Sequence, residues 1–407
     1  MLVPLLALAL VAAPAAGSAA APAHTDPAAP TAAAAQAEAR MGPEAVEAGQ
    51  GGTADAQPAL GVGTGTPQTL APGLAAPRQH RWFLLPIPFY TPETRFGLAV
   101  TSGLHFGPDQ APRPSSAFAS VAYTLGGQGM LDLATEGNLV GGAVLAARAR
   151  AVSFPDHYYG LGPDTPSSAE EPFTRRSVEL VATFEWPVPG VPGLRVGPRV
   201  DLRGEAIRER EAGGALDAGT VTGWDGYTAV SLGGSITYDT RDGSFWPTRG
   251  SLLQSWYVYA PAELGRHEPF GRGVVEARHF LPLGHGRVLG FDAYAEGVHG
   301  DPPFTLLPKL GSTRFMRGIR EGRYRDRLDW AAQTELRLPV KGRFSATTFA
   351  AVGDVAHGLD ALTLDSLKWG AGAGLRYRLT DEGANIRLDV AASAQGVEFY
   401  ALVLEAF

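Results

Sequence analysis

From Trp82 to the end of the chain, apolar and polar side chains alternate with a period of two, again and again. In YTAVSLGGSITYD (227–239), Val230, Leu232, Ile236 and Tyr238 share one parity, while Ser231, Gly233, Ser235, Thr237 and Asp239 share the other. LKWGAGAGLRYRL (367–379) sets Leu367, Trp369, Ala371, Ala373, Leu375, Tyr377 and Leu379 against Lys368, glycines, Arg376 and Arg378. ANIRLDVA repeats the pattern, with Ile386, Leu388 and Val390 opposite Asn385, Arg387 and Asp389. The alternation predicts strands over 82–90, 94–106, 116–125, 129–139, 143–154, 173–186, 193–210 and 227–239. It continues over 250–260, 270–282, 287–299, 327–339, 343–353, 366–379, 384–394 and 397–407. That is about sixteen strands, an even number within the range of outer-membrane barrels.

A soluble sandwich also alternates, but it buries its apolar face in a packed core and seldom needs so many strands in succession. A closed barrel gives lipid to the apolar face and the lumen to the polar face, and leaves no free edge. The expected fold class is therefore all-β, a transmembrane antiparallel β-barrel with a long lumenal loop. Trp186, Trp246, Trp256, Tyr257, Tyr259 and Trp330 lie near strand ends, where aromatic girdles form at the membrane interfaces.

Upstream the texture is different. Residues 2–16, LVPLLALALVAAPAA, are apolar and precede the small residues Gly17 to Ala21, the pattern of a signal peptide over 1–22. The run is shorter than the roughly 20 residues of a spanning helix and is broken by Pro4 and Pro14, although no Lys or Arg precedes it. Residues 23–81 are rich in Ala, Pro and Gly, with few side chains able to build a core. They read as a disordered linker before a barrel over 82–407.

Composition agrees, since 52 glycines with only 18% charged residues suit tight turns and strands. A net charge of −7 and clustered arginines argue against nucleic acid as a partner. The chain has no cysteine and hence no thiol chemistry. Nucleophile elbows, zinc-helix motifs, phosphate loops and EF-hand loops are missing, and the nine histidines are scattered without ligand spacing. GVGTGT at 61–66 has no strand before it. Neither an enzyme nor a metal or other cofactor is expected.

Three stretches exceed this alternation. YDTRDGSFWPTRGSLL (238–253) places Asp239, Arg241 and Asp242 at a strand end, before a Pro247 to Gly250 hairpin signal. LLPKLGSTRFMRGIREGRYR (306–325) sets Arg314, Arg317, Arg320, Arg323, Arg325 and Lys309 in a connection of about 27 residues, long for a hairpin. Charge on the lipid face would be costly, so these side chains belong elsewhere. The strands that follow should point Glu335, Phe349, Ala351, Gly353 and Asp389 into the lumen.

In order, these motifs resemble the BamA/TamA family, whose barrel module is the bacterial surface antigen domain. Met316-Arg317-Gly318-Ile319 is similar to the family's Arg-Gly tip on a loop that folds into the lumen. Supporting motifs are Asp239 to Gly250, Glu335 to Pro339, Phe349 to Gly353, Gly372 to Arg376 and Arg387 to Asp389. The resemblance implies that Arg317, beside Gly318, latches the loop to inner-wall acids, with Glu335 as first partner. Ala351 stands where the family carries a second acid, and Asp354 is a poor substitute of opposite parity, so a weaker latch is expected.

Residues before Trp82 cannot form a POTRA domain. The chain therefore looks like a short, POTRA-less branch, which Pro88 to Thr94 and Phe154 to Gly162 also resemble. Phe407 matches the family's terminal aromatic, although Glu405 interrupts the parity of Phe399, Ala401 and Val403. The resemblance implies insertion or translocation of protein, or movement of lipid, through a weak seam between first and last strands. Outer-membrane lipids, client outer-membrane or secreted proteins and a separate periplasmic partner would be its partners, at the outer membrane of a Gram-negative-type bacterium. The alternative is a passive porin-like channel with an arginine-lined constriction loop.

Overall fold

The computed structural model describes residues 81–106, 115–243, 246–379, 385–403 and 405–407. The signal peptide and all of the expected linker except Arg81 lie outside the described residues, and Arg81 opens the first strand. Sixteen strands form the wall. They are β1 (Arg81–Thr91), β2 (Arg95–Phe106), β3 (Ser115–Thr124), β4 (Gly129–Asn138), β5 (Val144–Tyr158), β6 (Glu171–Pro187), β7 (Leu194–Arg208) and β8 (Gly226–Asp239). There follow β9 (Gly250–Ala260), β10 (Phe270–Pro282), β11 (Val288–Gly300), β12 (Leu328–Lys341), β13 (Phe344–Ala356), β14 (Lys368–Arg378), β15 (Asn385–Ser393) and β16 (Gly396–Val403).

Each strand pairs antiparallel with its neighbours in sequence, and β16 returns to β1, closing the barrel. The period-two pattern dictates this wall. In β8, Leu232 and Ile236 face out at 50% and 47% exposure, while Ser231, Ser235 and Thr237 are buried inside. In β15, Ile386, Leu388 and Val390 face lipid, and Asn385, Arg387 and Asp389 are enclosed. One end of the barrel carries the connections 139–143, 188–193, 240–249, 283–287 and 342–343. The other carries the turns 92–94, 125–128 and 394–395 together with the longer connections 159–170, 209–225, 261–269, 301–327 and 357–367. The end where the longest loops gather corresponds to the extracellular one of such barrels, and the opposite end to the periplasmic one.

Four details differ from the sequence reading. Trp186, Tyr257 and Tyr259 face outward, but Trp256 points inward between Arg199 (4.1 Å) and Arg272 (5.4 Å). Adjacent residues of a strand cannot share a face, and two guanidinium groups over the indole stabilise the inward choice. Trp246 is also no girdle residue, because it packs against Arg337 (4.5 Å) beneath the periplasmic mouth. Arg378 is exposed at the end of β14, beyond the lumen. Finally, β16 stops at Val403, and Ala406 and Phe407 turn inside, where Phe407 stacks on Phe280 at 6.0 Å.

Candidate functional site

The connection 301–327 returns into the lumen. Its neck is a minimal hairpin that pairs Lys309 with Arg325 and Leu310 with Tyr324. Below the neck, Leu310, Phe315, Met316 and Ile319 pack on Ala331, Ala351 and Val355 of the wall. This apolar contact explains why Ala351 is small, since the loop itself occupies the space beside it. The loop after β5 meets the neck, with Gly162 N donating to Arg325 O at 2.8 Å.

At the tip the backbone turns sharply, with φ of 55° at Met316 and 99° at Gly318. Gly318 needs both its conformation and its size, because a Cβ there would lie 3.1 Å from the Ala392 carbonyl carbon. Its N–H donates to the Tyr400 hydroxyl at 2.9 Å, and its carbonyl accepts from the Ser393 hydroxyl at 2.6 Å. The tip is thus fastened to β15 and β16 through backbone as well as side chain.

Arg317 is 1% exposed and donates through Nη2 to Glu335 Oε2 at 3.0 Å and through Nη1 to Asp389 Oδ2 at 2.7 Å. Its guanidinium carbon lies 3.4 Å from the centre of the Phe349 ring. The expected partner Glu335 is therefore present, and Asp389 of β15 supplies the second acid that Ala351 lacks. Asp354 takes no part, being held by Lys368 at 3.7 Å and by Ser366. A planar fork between two carboxylates satisfies the geometry of arginine, which lysine could not reproduce.

The two carboxylates belong to a wider network. Arg376 reaches Asp389 at 2.5 Å, Glu405 at 2.7 Å and Glu335 at 3.6 Å. Arg387 lies 3.6 Å from Asp389 and donates to the Thr313 carbonyl at 3.0 Å. Arg337 donates to Glu335 at 3.1 Å, to the Pro247 carbonyl at 3.1 Å and to the Phe407 carbonyl oxygen at 2.6 Å. Buried charge is tolerated only with this degree of mutual pairing. Glu405, whose parity looked wrong for a lipid-facing strand end, is a lumenal ligand of Arg376 and Asn385.

The 238–253 motif builds the periplasmic end of this chain of contacts. Arg241 forms a fork on Asp239 with two contacts of 3.0 Å. Asp242 accepts from the Thr248 and Arg249 N–H groups at 2.8 and 3.3 Å, folding the turn so that the Pro247 carbonyl meets Arg337. Partial burial pushes the Asp242 carboxyl up, but the hydrogen bonds from Thr248 and Arg249 outweigh it and hold it below its usual range. Gly250 (φ 97°) lets the chain re-enter the wall. Gly353 allows close approach of the Trp330 carbonyl, 2.5 Å from where a Cβ would stand.

Sequence reading missed three contributions: Asp389 as second latch acid, the Tyr400 and Ser393 clamp, and the use of the β14 glycines. Strand parity already put Asp389 inside, so only its distance from residue 317 was hidden. Gly370 makes room for the tip, since a Cβ there would fall 2.5 Å from the Arg317 carbonyl oxygen, and at Gly372 it would fall 2.5 Å from the Phe349 ring. Gly370→Val is expected to expel the tip without unpairing β14, because a backbone oxygen cannot move aside as a side chain can. Faster protease cleavage within 311–325 in the folded barrel checks this, and cleavage at the wild-type rate contradicts it.

The tip also touches both strands that meet at the closure of the barrel. Arg320 donates to Glu398 of β16 at 3.3 Å, and Glu321 N donates to Glu93, in the turn after β1, at 3.4 Å. Burial pushes the Glu93 carboxyl up, and the negative charge of Glu398 adds to the rise.

Residues 203–398 match the Omp85 superfamily domain, a span that contains the loop, Glu335 and Asp389. No curated protein matches the chain in sequence. Among solved structures, the fold is similar to BamA from Haemophilus ducreyi lacking POTRA domains 1–3. That match has 12% identity and a TM-score of 0.56, and covers 80% of this chain and 70% of that one. It is also similar to CdiB from Acinetobacter baumannii, at 10% identity and a TM-score of 0.50, covering 79% of this chain and 59% of that one. With a closed sixteen-strand wall and an Arg-Gly loop tip in the lumen, the chain is a barrel of the outer-membrane kind that carries an Omp85 superfamily domain over residues 203–398.

Proposed function

We propose that this barrel assists insertion or translocation of protein, or movement of lipid, at the outer membrane by opening the wall between β1 and β16. The observation that carries this reading is the thinness of that closure. Among the described residues β1 and β16 share a single register pair, Tyr90 with Ala401, whereas β1 pairs with β2 from Arg81 to Thr91.

The sequence of β1 supplies a cause. Phe96 O accepts from Leu125 N at 2.8 Å, so even-numbered residues of β2 aim their backbone groups at β3 and odd-numbered ones at β1. Through the register Phe89 with Gly97, even-numbered residues of β1 then face β16, and two of them are Pro86 and Pro88. Proline has no N–H to give a ladder, so this edge cannot zip up. The docked loop, held to Glu93 on one side and to Glu398 and Tyr400 on the other, braces the seam from within.

Client outer-membrane or secreted proteins would be handed over by a separate periplasmic partner, with outer-membrane lipids at the open edge. The reading involves no catalytic step. It is favoured over a passive anion pore because the arginines at and beside the loop tip are occupied by acids: Arg314 by Glu276 at 2.6 Å, Arg317 by Glu335 and Asp389, and Arg320 by Glu398.

The chain has no native cysteine, so Tyr90→Cys with Ala401→Cys gives a clean lock. Oxidised, this variant is expected to lose assisted insertion of a client barrel into liposomes, and reduction should restore it. Equal insertion in both redox states would overturn the proposal.

A further inference from the structure

The neck of the loop carries positive charge that its surroundings leave poorly neutralised. Lys309 and Arg325 stand directly opposite one another in the two-residue hairpin, a placement in which like charges repel. Among the described residues, Lys309 Nζ makes no hydrogen bond or ion pair. Arg325, 1% exposed, has the Phe304 carbonyl at 2.9 Å and the rings of Phe304 and Tyr158, while its Nε and Nη2 are buried without an acceptor.

Arg175 of β6 is in the same position. It is 6% exposed and reaches Glu205 through Nη1 at 3.4 Å, with Nε and Nη2 buried and unpartnered. Glu205 is already shared, because its other oxygen accepts from the Thr305 hydroxyl. Asp156 and Glu321 are the other nearby carboxylates, and neither forms an ion pair with Lys309 among the described residues. Burial lowers the Lys309 ammonium to about 8, with repulsion from Arg325 and then Arg175 adding to it. Leaving two buried guanidinium groups and a half-buried ammonium short of acceptors is costly unless something anionic joins them.

There is room for it. Arg175 and Lys309 line a cavity of about 30 Å³ together with Ser177 and Tyr227. Arg150, Arg203 and Arg272 also line it, the first and last paired outside it with Asp132 and Glu296, while the carboxylates of Glu179, held by Arg203, and Glu205 lie in its wall, so cations outnumber acids there. A second cavity of about 80 Å³ lies on the other side of Thr305, Leu306 and Lys309. A space of this size admits a small ion with its water but not a lipid headgroup.

We propose that the cavity between the Arg175 guanidinium and the Lys309 ammonium binds one small inorganic oxyanion of the phosphate or sulfate class, which steadies the neck of the lumenal loop. The anion supplies acceptors to the free Nε and Nη2 of Arg175 and separates Lys309 from its cationic neighbours. The proposal stands independently of the seam's role.

Sulfate titrated into the folded full chain in nonionic detergent, at constant ionic strength in chloride buffer, tests it by calorimetry. The expected result is saturable binding of one sulfate per barrel, competed by inorganic phosphate. Lys309→Gln removes no existing bond and should therefore fold, and it should bind sulfate about tenfold more weakly, as loss of one charge-assisted contact implies. Arg175→Gln should do the same. Arg249→Gln, whose guanidinium is 75% exposed at the periplasmic turn, should bind as the wild type does. Absence of saturable binding, equal affinity in Lys309→Gln, or chloride competing as well as phosphate would each overturn the proposal.

Discussion

Arg317→Ala releases the lumenal loop while the barrel stays folded. The two carboxylates that hold Arg317 each keep other guanidinium partners, Arg337 and Arg376 for Glu335, and Arg376 and Arg387 for Asp389. The wall is therefore not left with an unpaired buried charge. The loop loses two charge-assisted contacts and the face of Phe349. Breaking a buried pair costs about 3–5 kcal/mol, and the lower end applies here because the remaining partners can close around the acids. A loss of about 3 kcal/mol corresponds to roughly a hundredfold rise in the population of undocked loop. Proteolysis within 311–325 should quicken accordingly, while heat-modifiable migration still reports a folded barrel. Cleavage and migration both unchanged from wild type would contradict the latch.

Glu335→Ala has the larger effect on the wall itself. This carboxylate is fully enclosed and meets three guanidinium groups, from Arg317 at 3.0 Å, Arg337 at 3.1 Å and Arg376 at 3.6 Å. Removing it leaves four arginines, counting Arg387, to share Asp389 and Glu405 in a space largely closed to water. The cost, about 3–5 kcal/mol, falls on strands as well as loop, because Arg337 also carries the periplasmic turn and the chain end through the Pro247 and Phe407 carbonyls. The urea midpoint of the whole barrel should fall, with near-native loss in Glu335→Gln smaller than in Glu335→Ala. A midpoint equal to that of Arg317→Ala would show that Glu335 serves the loop alone.

The wall was legible in the sequence because lipid outside and a polar lumen inside impose one period on every strand. β8 and β15 read correctly residue by residue for that reason. The same rule placed Glu335, Phe349, Ala351, Gly353 and Asp389 inside, where they lie. It failed at Trp256 and Trp246, where aromatic character near a strand end was read as an interface signal although the neighbours were lumenal arginines. It also failed at Glu405, since a strand was extended past Val403 into residues whose partners, Arg376 and Asn385, are distant in sequence. Asp389 was seen as lumenal but not as a latch acid, because the pairing of Arg317 with it depends on how the loop descends. Period fixes which face a side chain takes, whereas its partner across the lumen depends on register and loop path.

Hydrogen exchange of the folded wild-type barrel tests the docked loop most directly. The Gly318 amide, which donates to the Tyr400 hydroxyl, is expected to exchange slowly, at rates approaching those of β15 and β16, and to exchange fast in Arg317→Ala with the strands still protected. A Gly318 amide in the wild type that exchanges as fast as in Arg317→Ala would contradict a loop latched in the lumen.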